Sequence, residues 1–424
     1  MRKLLVTLLC TLPIGLMAQT RTLDECQQMA MQNYPLIKRH DLIARTANID
    51  IDNIGKQWLP QVTVYAQATL QSDVVKLPDA MTDMLRQTGV QCDGLKREQY
   101  KIGVDVSQII YDGGAIGRNK EVAARQKEVM TAENEVSLHA VRKRINELYF
   151  GVLLVNDLLR LNADRQSLLN VNEKQLEAML KGGTAMECDY NSVKAERLNA
   201  TQEATNLNIQ KESLLQLLSA FIGEKVSEVQ KPVMIDSPND RNNRPEVRLA
   251  ETQLQLIRAQ ENALHAGLMP KVSAFASGFY GYPGYNMYED MMRRRMSLNG
   301  IIGLRVTWNI GSLYTNKNDK ARLELQRKEA SNRLETFLFN NHLDNMQQDA
   351  EIERYRKLMA TDNEIIALRE KVRRAYESKL RHGIIEVTSL LQELNKENGA
   401  RIALSTHEIE LLKHLYDQKW LLGQ

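Results

Sequence analysis

The sequence states one layout twice. Asn33-Tyr34-Pro35 returns as Asn243-Arg244-Pro245, and Leu59-Pro60 returns as Met269-Pro270, both 210 residues later. Further on the offset is 200: Gly103 matches Gly303, Leu180-Lys181-Gly182-Gly183 matches Leu380-Arg381-His382-Gly383, and Ile222-Gly223 matches Leu422-Gly423. The ten-residue change falls between about 73 and 99, where the first copy carries the longer loop. A repeat of this size fixes the architecture before any motif is read. Each copy is one long helical segment, two strands around a loop, then two more long helical segments.

The strands are marked by period-two alternation. The spacing predicts strands at 61–71 and 100–110 in the first copy, and at 271–282 and 300–310 in the second. Tyr100, Ile102, Val104, Val106 and Ile110 share a face opposite Lys101, Asp105 and Ser107. Val272, Ala274, Ala276 and Tyr280 stand opposite Lys271, Ser273 and Ser277, and Ile302, Leu304, Val306, Trp308 and Ile310 opposite Arg305, Thr307 and Asn309. Twelve residues at ~3.4 Å each, tilted by ~40°, rise about 31 Å, the depth of a bilayer's hydrocarbon core. Soluble half-buried strands are usually about half that length. Aromatics make up 5% of the chain, yet Phe275, Phe279, Tyr280, Tyr282, Tyr285 and Tyr288 crowd together. Trp58, Tyr65, Tyr100, Tyr111, Trp308 and Tyr314 also lie in or beside strands, as rings at membrane interfaces do.

The helical segments are predicted at 114–181 and 185–222, and again at 315–381 and 385–421. The first would make a rod of ~100 Å. Val141, Ile145, Leu148, Val152, Val155 and Leu159 alternate by four and three, and Tyr190, Val193, Ala200, Ala204, Leu207, Leu214, Leu218 and Phe221 follow a similar stripe. Such stripes make helices wind side by side. Asn162, Gln166, Arg197 and Lys211 interrupt them, so the seam is partly polar.

Other features bound the function. Residues 1–18 read as a signal peptide: Arg2 and Lys3, then an apolar stretch too short to span a bilayer, then Leu16-Met17-Ala18. Without Arg2 and Lys3 the 56 basic residues fall to 54, against 53 acidic ones. That near-neutral balance argues against nucleic acid as a partner. No later apolar run approaches ~20 residues, so any membrane entry must be by strands. Cys26, Cys92 and Cys188 form no close pair and read as free thiols, and His407 and His414 read as packing residues rather than ligands. Residues 224–244 connect the copies. Arg293-Arg294-Arg295 sits in a loop that is either solvated or in contact with an anionic surface. No nucleophile–base motif, phosphate loop or metal spacing is visible, so we expect no enzyme, cofactor or metal.

Four strands cannot close a barrel, and lipid tolerates no open edge. The chain is therefore expected to share a barrel with its own copies. Two copies leave no aqueous lumen, and three leave a channel. Lys101, Asp105, Lys271 and Arg305 would then face that lumen.

In this order and spacing the features resemble the TolC-type outer-membrane efflux proteins, across residues about 22–423. The marks are Thr22-Leu23-Asp24-Glu25-Cys26, the two Asn-x-Pro motifs, Leu59-Pro60, Tyr111-Asp112-Gly113-Gly114, and the turns at Gly183 and Gly383. The resemblance implies a mainly α fold with β: a long α-helical coiled-coil barrel, and four strands per chain in a shared twelve-stranded trimeric barrel. Its copies would be residues 19–223 and 245–424. It implies a homotrimer in the outer-membrane lipid with its tunnel in the periplasm. Such a trimer couples to a periplasmic adaptor protein and an inner-membrane pump or ABC exporter, for efflux or type I secretion. A trimeric surface adhesin and a soluble periplasmic coiled-coil scaffold are the alternatives. The resemblance also places a gate at the periplasmic tip, near Gly183, Glu187 and Asp189 in one copy and Gly383 and Glu386 in the other. The second copy departs from the pattern: Ser389 and Gln392 stand where the family has acids, and Leu380 and Ile385 replace its closing tyrosine and basic residue. Asp189 also has a plainer reading, as a first-turn acid stabilising a helix dipole.

Overall fold

The computed structural model describes residues 20–235 and 242–424. The predicted signal peptide lies outside them, as does part of the connector. The elements run β1 (Thr20–Arg21), α1 (Leu23–Asn33), α2 (Leu36–Lys56), β2 (Gln61–Leu70), α3 (Asp79–Gln87), β3 (Glu98–Tyr111), α4 (Ala115–Lys181), α5 (Glu187–Ile222), β4 (Glu228–Val229), α6 (Pro245–Gly267), β5 (Lys271–Tyr282), α7 (Met287–Arg293), β6 (Ser297–Thr307), α8 (Ser312–Arg381) and α9 (Val387–Leu421). The long helices fall where the stripes put them. No helix is long and apolar enough to cross a membrane among the described residues.

The last strand is displaced by three residues from its predicted 300–310. Ser297-Leu298-Asn299 extends the alternation backwards and pairs with β5. At the other end Trp308, Asn309 and Ile310 have left the sheet. The Ser312 hydroxyl donates to the Asn309 carbonyl at 2.6 Å in the turn that starts α8. The short helices α3 and α7 within the loops carry no periodic stripe long enough to be seen in sequence.

The chain divides into two compact units, and each draws on both copies. Among the described residues the helical unit is 20–40, 132–235, 242–249 and 334–424. Its largest core gathers Cys26 and Ala30 of α1 with Ile145, Tyr149, Phe150, Leu218, Ile222, Ile409 and Leu412. Thr22 and Glu25 cap α1 reciprocally, at 3.3 and 3.0 Å. The Tyr149 hydroxyl reaches the Arg21 carbonyl at 3.0 Å and the Gln230 carbonyl, beneath the parallel β1–β4 pair.

The repeated Asn-x-Pro motifs meet the recurring Ile222-Gly223 and Leu422-Gly423, far apart in sequence, in this unit. The Asn33 side-chain amide donates to Phe221 at 3.1 Å beside Gly223. The Asn243 amide donates to Leu422 at 2.8 Å beside Gly423. Both glycines are left-handed, at φ 81° and 73°, and end their helices by turning against the asparagine.

The second unit is Asp41–Thr131 with Ala250–Arg333. Its sheet has the order β2-β3-β5-β6, antiparallel throughout. Asp112 begins α4 by accepting from the Gly114 and Ile116 amides at 2.8 and 2.5 Å. In the loops, Cys92, Leu95, Tyr282 and Met291 form a small core. The Arg293-Arg294-Arg295 run is ion-paired locally, Arg293 and Arg295 to Glu289 and Arg294 to Asp93.

Candidate functional site

The strand register sorts the sheet into two chemically opposite faces. Partners across each ladder share a face. One face carries Val62, Val64, Leu70, Ile102, Val104, Val106, Val272, Leu298, Ile302, Leu304 and Val306. Most of these are open: Leu298 is 81% exposed, Ile302 82% and Leu304 71%. Tyr100 and Tyr280 stand exposed at the loop end, and Tyr111 at the helix end, with Trp58 and Trp308 just beyond the strands. An apolar patch of this extent is not left to water in a soluble monomer.

The opposite face carries Gln61, Thr63, Gln67, Thr69, Ser107, Ser273, Ser277, Asn299 and Thr307. Lys101, Asp105, Lys271 and Arg305 all lie on it, Lys101 across from Gly281, Asp105 from Ser277, Lys271 from Thr307 and Arg305 from Ser273. Two of the cations rest on rings, Lys101 Nζ 4.8 Å from the Phe279 centroid and the Arg305 guanidinium 4.7 Å from that of Phe275.

One repeated device on this face was not apparent from period-two alternation. Tyr65 lies opposite Gly103, and Phe275 opposite Gly303. A Cβ on Gly103 would come within 2.8 Å of the Tyr65 ring, and one on Gly303 within 2.9 Å of Phe275. Each ring covers the backbone of its glycine partner, at corresponding positions of the two copies. Tyr65 and Phe275 are 210 apart and the glycines 200 apart, so the repeat offsets contain the signal.

The two helical turns lie in the helical unit. Gly183 and Gly383 adopt φ 71° and 69°, and Thr184 and Ile384 close each turn onto Met179 and Lys379 at 2.9 Å. These turns have the same geometry, but their acids differ. Asp189 accepts the Met186 amide at 3.2 Å, a cap on the start of α5. Ser389 takes the corresponding place in the second copy, where the Glu386 side chain instead accepts from the Thr388 hydroxyl at 3.4 Å. Glu187, Glu386 and Gln392 are exposed. Glu393 is buried, held by Lys396 at 2.6 Å and by Arg369 at 3.5 Å. Cys188 is exposed, whereas Cys26 and Cys92 are buried. His407 and His414 hydrogen-bond Asp362 and Gln348 at 2.8 and 2.6 Å.

Among the ion pairs that cross each hairpin below its turn, one stands at the same place in both copies with its polarity reversed. Glu173 of α4 meets Arg197 of α5 at 2.5 Å. Two hundred residues on, Arg373 of α8 meets Glu397 of α9, also at 2.5 Å. The second pair is the more deeply set, with side chains 11% and 7% exposed, and it recruits Glu377 and Arg401. Two of the other polar interruptions also find partners: Gln166 reaches Asn162 at 2.6 Å and the Ala200 carbonyl at 3.2 Å, and Asn162 donates to Glu203. No cluster able to hold a metal ion occurs among the described residues.

No protein-family model matches the chain, and no curated protein sequence matches it. Solved structures do. The outer-membrane channel OprN superposes with a TM-score of 0.69 at 16% identity, covering 95% of this chain and 89% of its own. The CmeC outer-membrane channel of Campylobacter jejuni gives 0.67 at 13% identity over 95% and 85%. The open state of the Neisseria gonorrhoeae MtrE outer-membrane channel gives 0.67 at 15% identity over 95% and 88%. The resemblance read from the repeat is thus met in three dimensions, and the chain has the fold of the TolC-type outer-membrane channels.

Proposed function

We propose that the protein is the outer-membrane duct of a tripartite efflux or type I secretion system, a homotrimer that conducts solutes passively from periplasm to exterior. The observation that carries this reading is the sheet. Its exposed apolar face matches lipid, its polar face matches water, and among the described residues nothing pairs with the outer edges of β2 and β6. The antiparallel alternation makes β2 and β6 run in opposite directions. The β6 of one copy can therefore continue the ladder onto β2 of the next. Three copies close a cylinder with a water-filled interior, in which Lys101, Asp105, Lys271 and Arg305 face the lumen.

The helical unit offers a second surface for copies to share. Phe339, Leu343, Met346, Leu358, Ile365, Leu368 and Val372 are exposed on α8 at near-helical spacing, a stripe that one chain leaves uncovered. A soluble scaffold would have no use for the apolar sheet face. An adhesin would carry its strands consecutively, whereas here the two strand pairs are separated by most of a repeat. A periplasmic adaptor and an inner-membrane pump or ABC exporter are the partners this reading implies, acting on a gate at the Gly183 and Gly383 tips.

Purified protein reconstituted into planar bilayers should give stepwise conductance and sediment as a trimer in detergent. A monomer that never conducts would refute the reading.

A further inference from the structure

We propose that the barrel lumen favours anions, and that Lys271 and Arg305 set this preference. The inference deepens the duct reading and rests on it. On the strands, the polar face holds only four charged side chains, and three are basic: Lys101, Lys271 and Arg305 against Asp105. None of the four forms an ion pair among the described residues, so the excess positive charge is not cancelled by neighbours on the face.

The arrangement is also uneven. Lys271 faces Thr307 and Arg305 faces Ser273, so the two residues are diagonal neighbours across the β5–β6 ladder, their Cα atoms ~7–8 Å apart. Hydroxyl side chains lie opposite both, and the Arg305 guanidinium is held over Phe275. Both residues lie at the strand ends next to the helices, so a trimer would carry a ring of them at that mouth. Asp105 sits further along the strands, and Lys101 beyond it towards the loops. Charges of one sign lining a narrow passage raise the local concentration of the opposite ion. The solutes this mouth would admit best are small anions and organic molecules with carboxylate, sulfonate or phosphate groups.

The test is the reversal potential of reconstituted pores in a tenfold potassium chloride gradient. Wild type should reverse on the chloride side. The Lys271→Gln/Arg305→Gln variant should lower the chloride-to-potassium permeability ratio at least twofold, while Lys271→Arg/Arg305→Lys should keep it. Glu187→Gln/Asp189→Asn, at the tip, should not lower it. A wild-type pore that prefers potassium, or a ratio indifferent to Lys271 and Arg305, overturns the inference and leaves the duct reading standing. Protein that inserts but never conducts removes the duct reading itself.

Discussion

Reversing one charge of the Glu173–Arg197 pair should destabilise the helical unit, and reversing both should restore it. In Arg197→Glu two carboxylates face each other where a 2.5 Å ion pair stood, with Glu173 12% and Arg197 32% exposed. The variant loses a charge-assisted hydrogen bond, ~1.5–3 kcal/mol, and gains a repulsion. Unit charges 4 Å apart interact by ~4 kcal/mol at an effective dielectric of ~20. The exposure of Arg197 and the freedom of a glutamate to swing away reduce the combined cost to ~1–3 kcal/mol. Glu173→Arg should cost about the same. The double variant recreates the polarity that the second copy already uses at Arg373 and Glu397, so it should lie within ~1 kcal/mol of wild type. Melting of the detergent-solubilised protein, followed by circular dichroism, reads this as two lowered midpoints and one recovered midpoint. If the double variant melts as low as the two single losses added together, the charges act independently and the pair is not an energetic unit.

Three further outcomes follow. Gly423→Ala should destabilise more than Gly223→Ala: both force φ above 70° on alanine, at ~1–2 kcal/mol, but the new methyl meets the Asn243 backbone at 2.5 Å in one case and the movable Asn33 side chain at 2.7 Å in the other. Comparative melting decides it, and Asn33→Ala should rescue Gly223→Ala alone. A maleimide should label Cys188 in the native protein and spare Cys26, whose thiol burial pushes up to about 12, and Cys92; mass spectrometry of native and unfolded protein reads the three sites. Burial pushes Asp417 up to about 6 and His139 down to about 4, each worth ~3 kcal/mol. Asp417 loses stability as pH rises from ~4 to ~6 and His139 loses it as pH falls from ~6.5 to ~4, so their slopes oppose. Relative to wild type, Asp417→Asn should become more stable as pH rises through that window and His139→Gln less stable, as urea titrations at several pH values would show.

The strands and the long helices were legible because each rests on a period that side-chain chemistry enforces over ten residues or more. The faces of the sheet were legible for the same reason: Lys101, Asp105, Lys271 and Arg305 do fall on one side. What escaped was local or distant. The last strand slipped by three residues because Trp308 and Ile310 continue the alternation into a turn that Ser312 closes. Helices α3 and α7 are too short to carry a stripe. The meeting of Asn33 with Gly223, and of Asn243 with Gly423, joins motifs whose recurrence was visible and whose contact was not. At the tip, Asp189 was open between a gate acid and a dipole acid. Its bond to the Met186 amide supplies the capping role.

The reversed polarity of the hairpin pairs has a consequence for assembly of the chain. Two similar hairpins present the folding protein with a choice, because α4 could take α9 as its partner as well as α5. That crossed pairing would set Glu173 against Glu397, and Arg373 against Arg197, two like-charge contacts in place of two ion pairs. Had both copies kept one polarity, crossed and correct pairings would be electrostatically equal at this position. Charges at helix seams select partners in this way by penalising the wrong one. The Glu173→Arg/Arg197→Glu variant, which gives both copies the same polarity, should therefore separate two properties. Its melting point should stay near wild type, yet refolding from urea should yield less folded protein and more aggregate, since the crossed hairpins are no longer repelled. The four-site variant that also exchanges Arg373 and Glu397 restores the opposition and should recover the yield. Equal refolding yields for all three proteins would show that apolar contacts such as Leu169, Leu176, Val193 and Leu390 choose the partner without the charges.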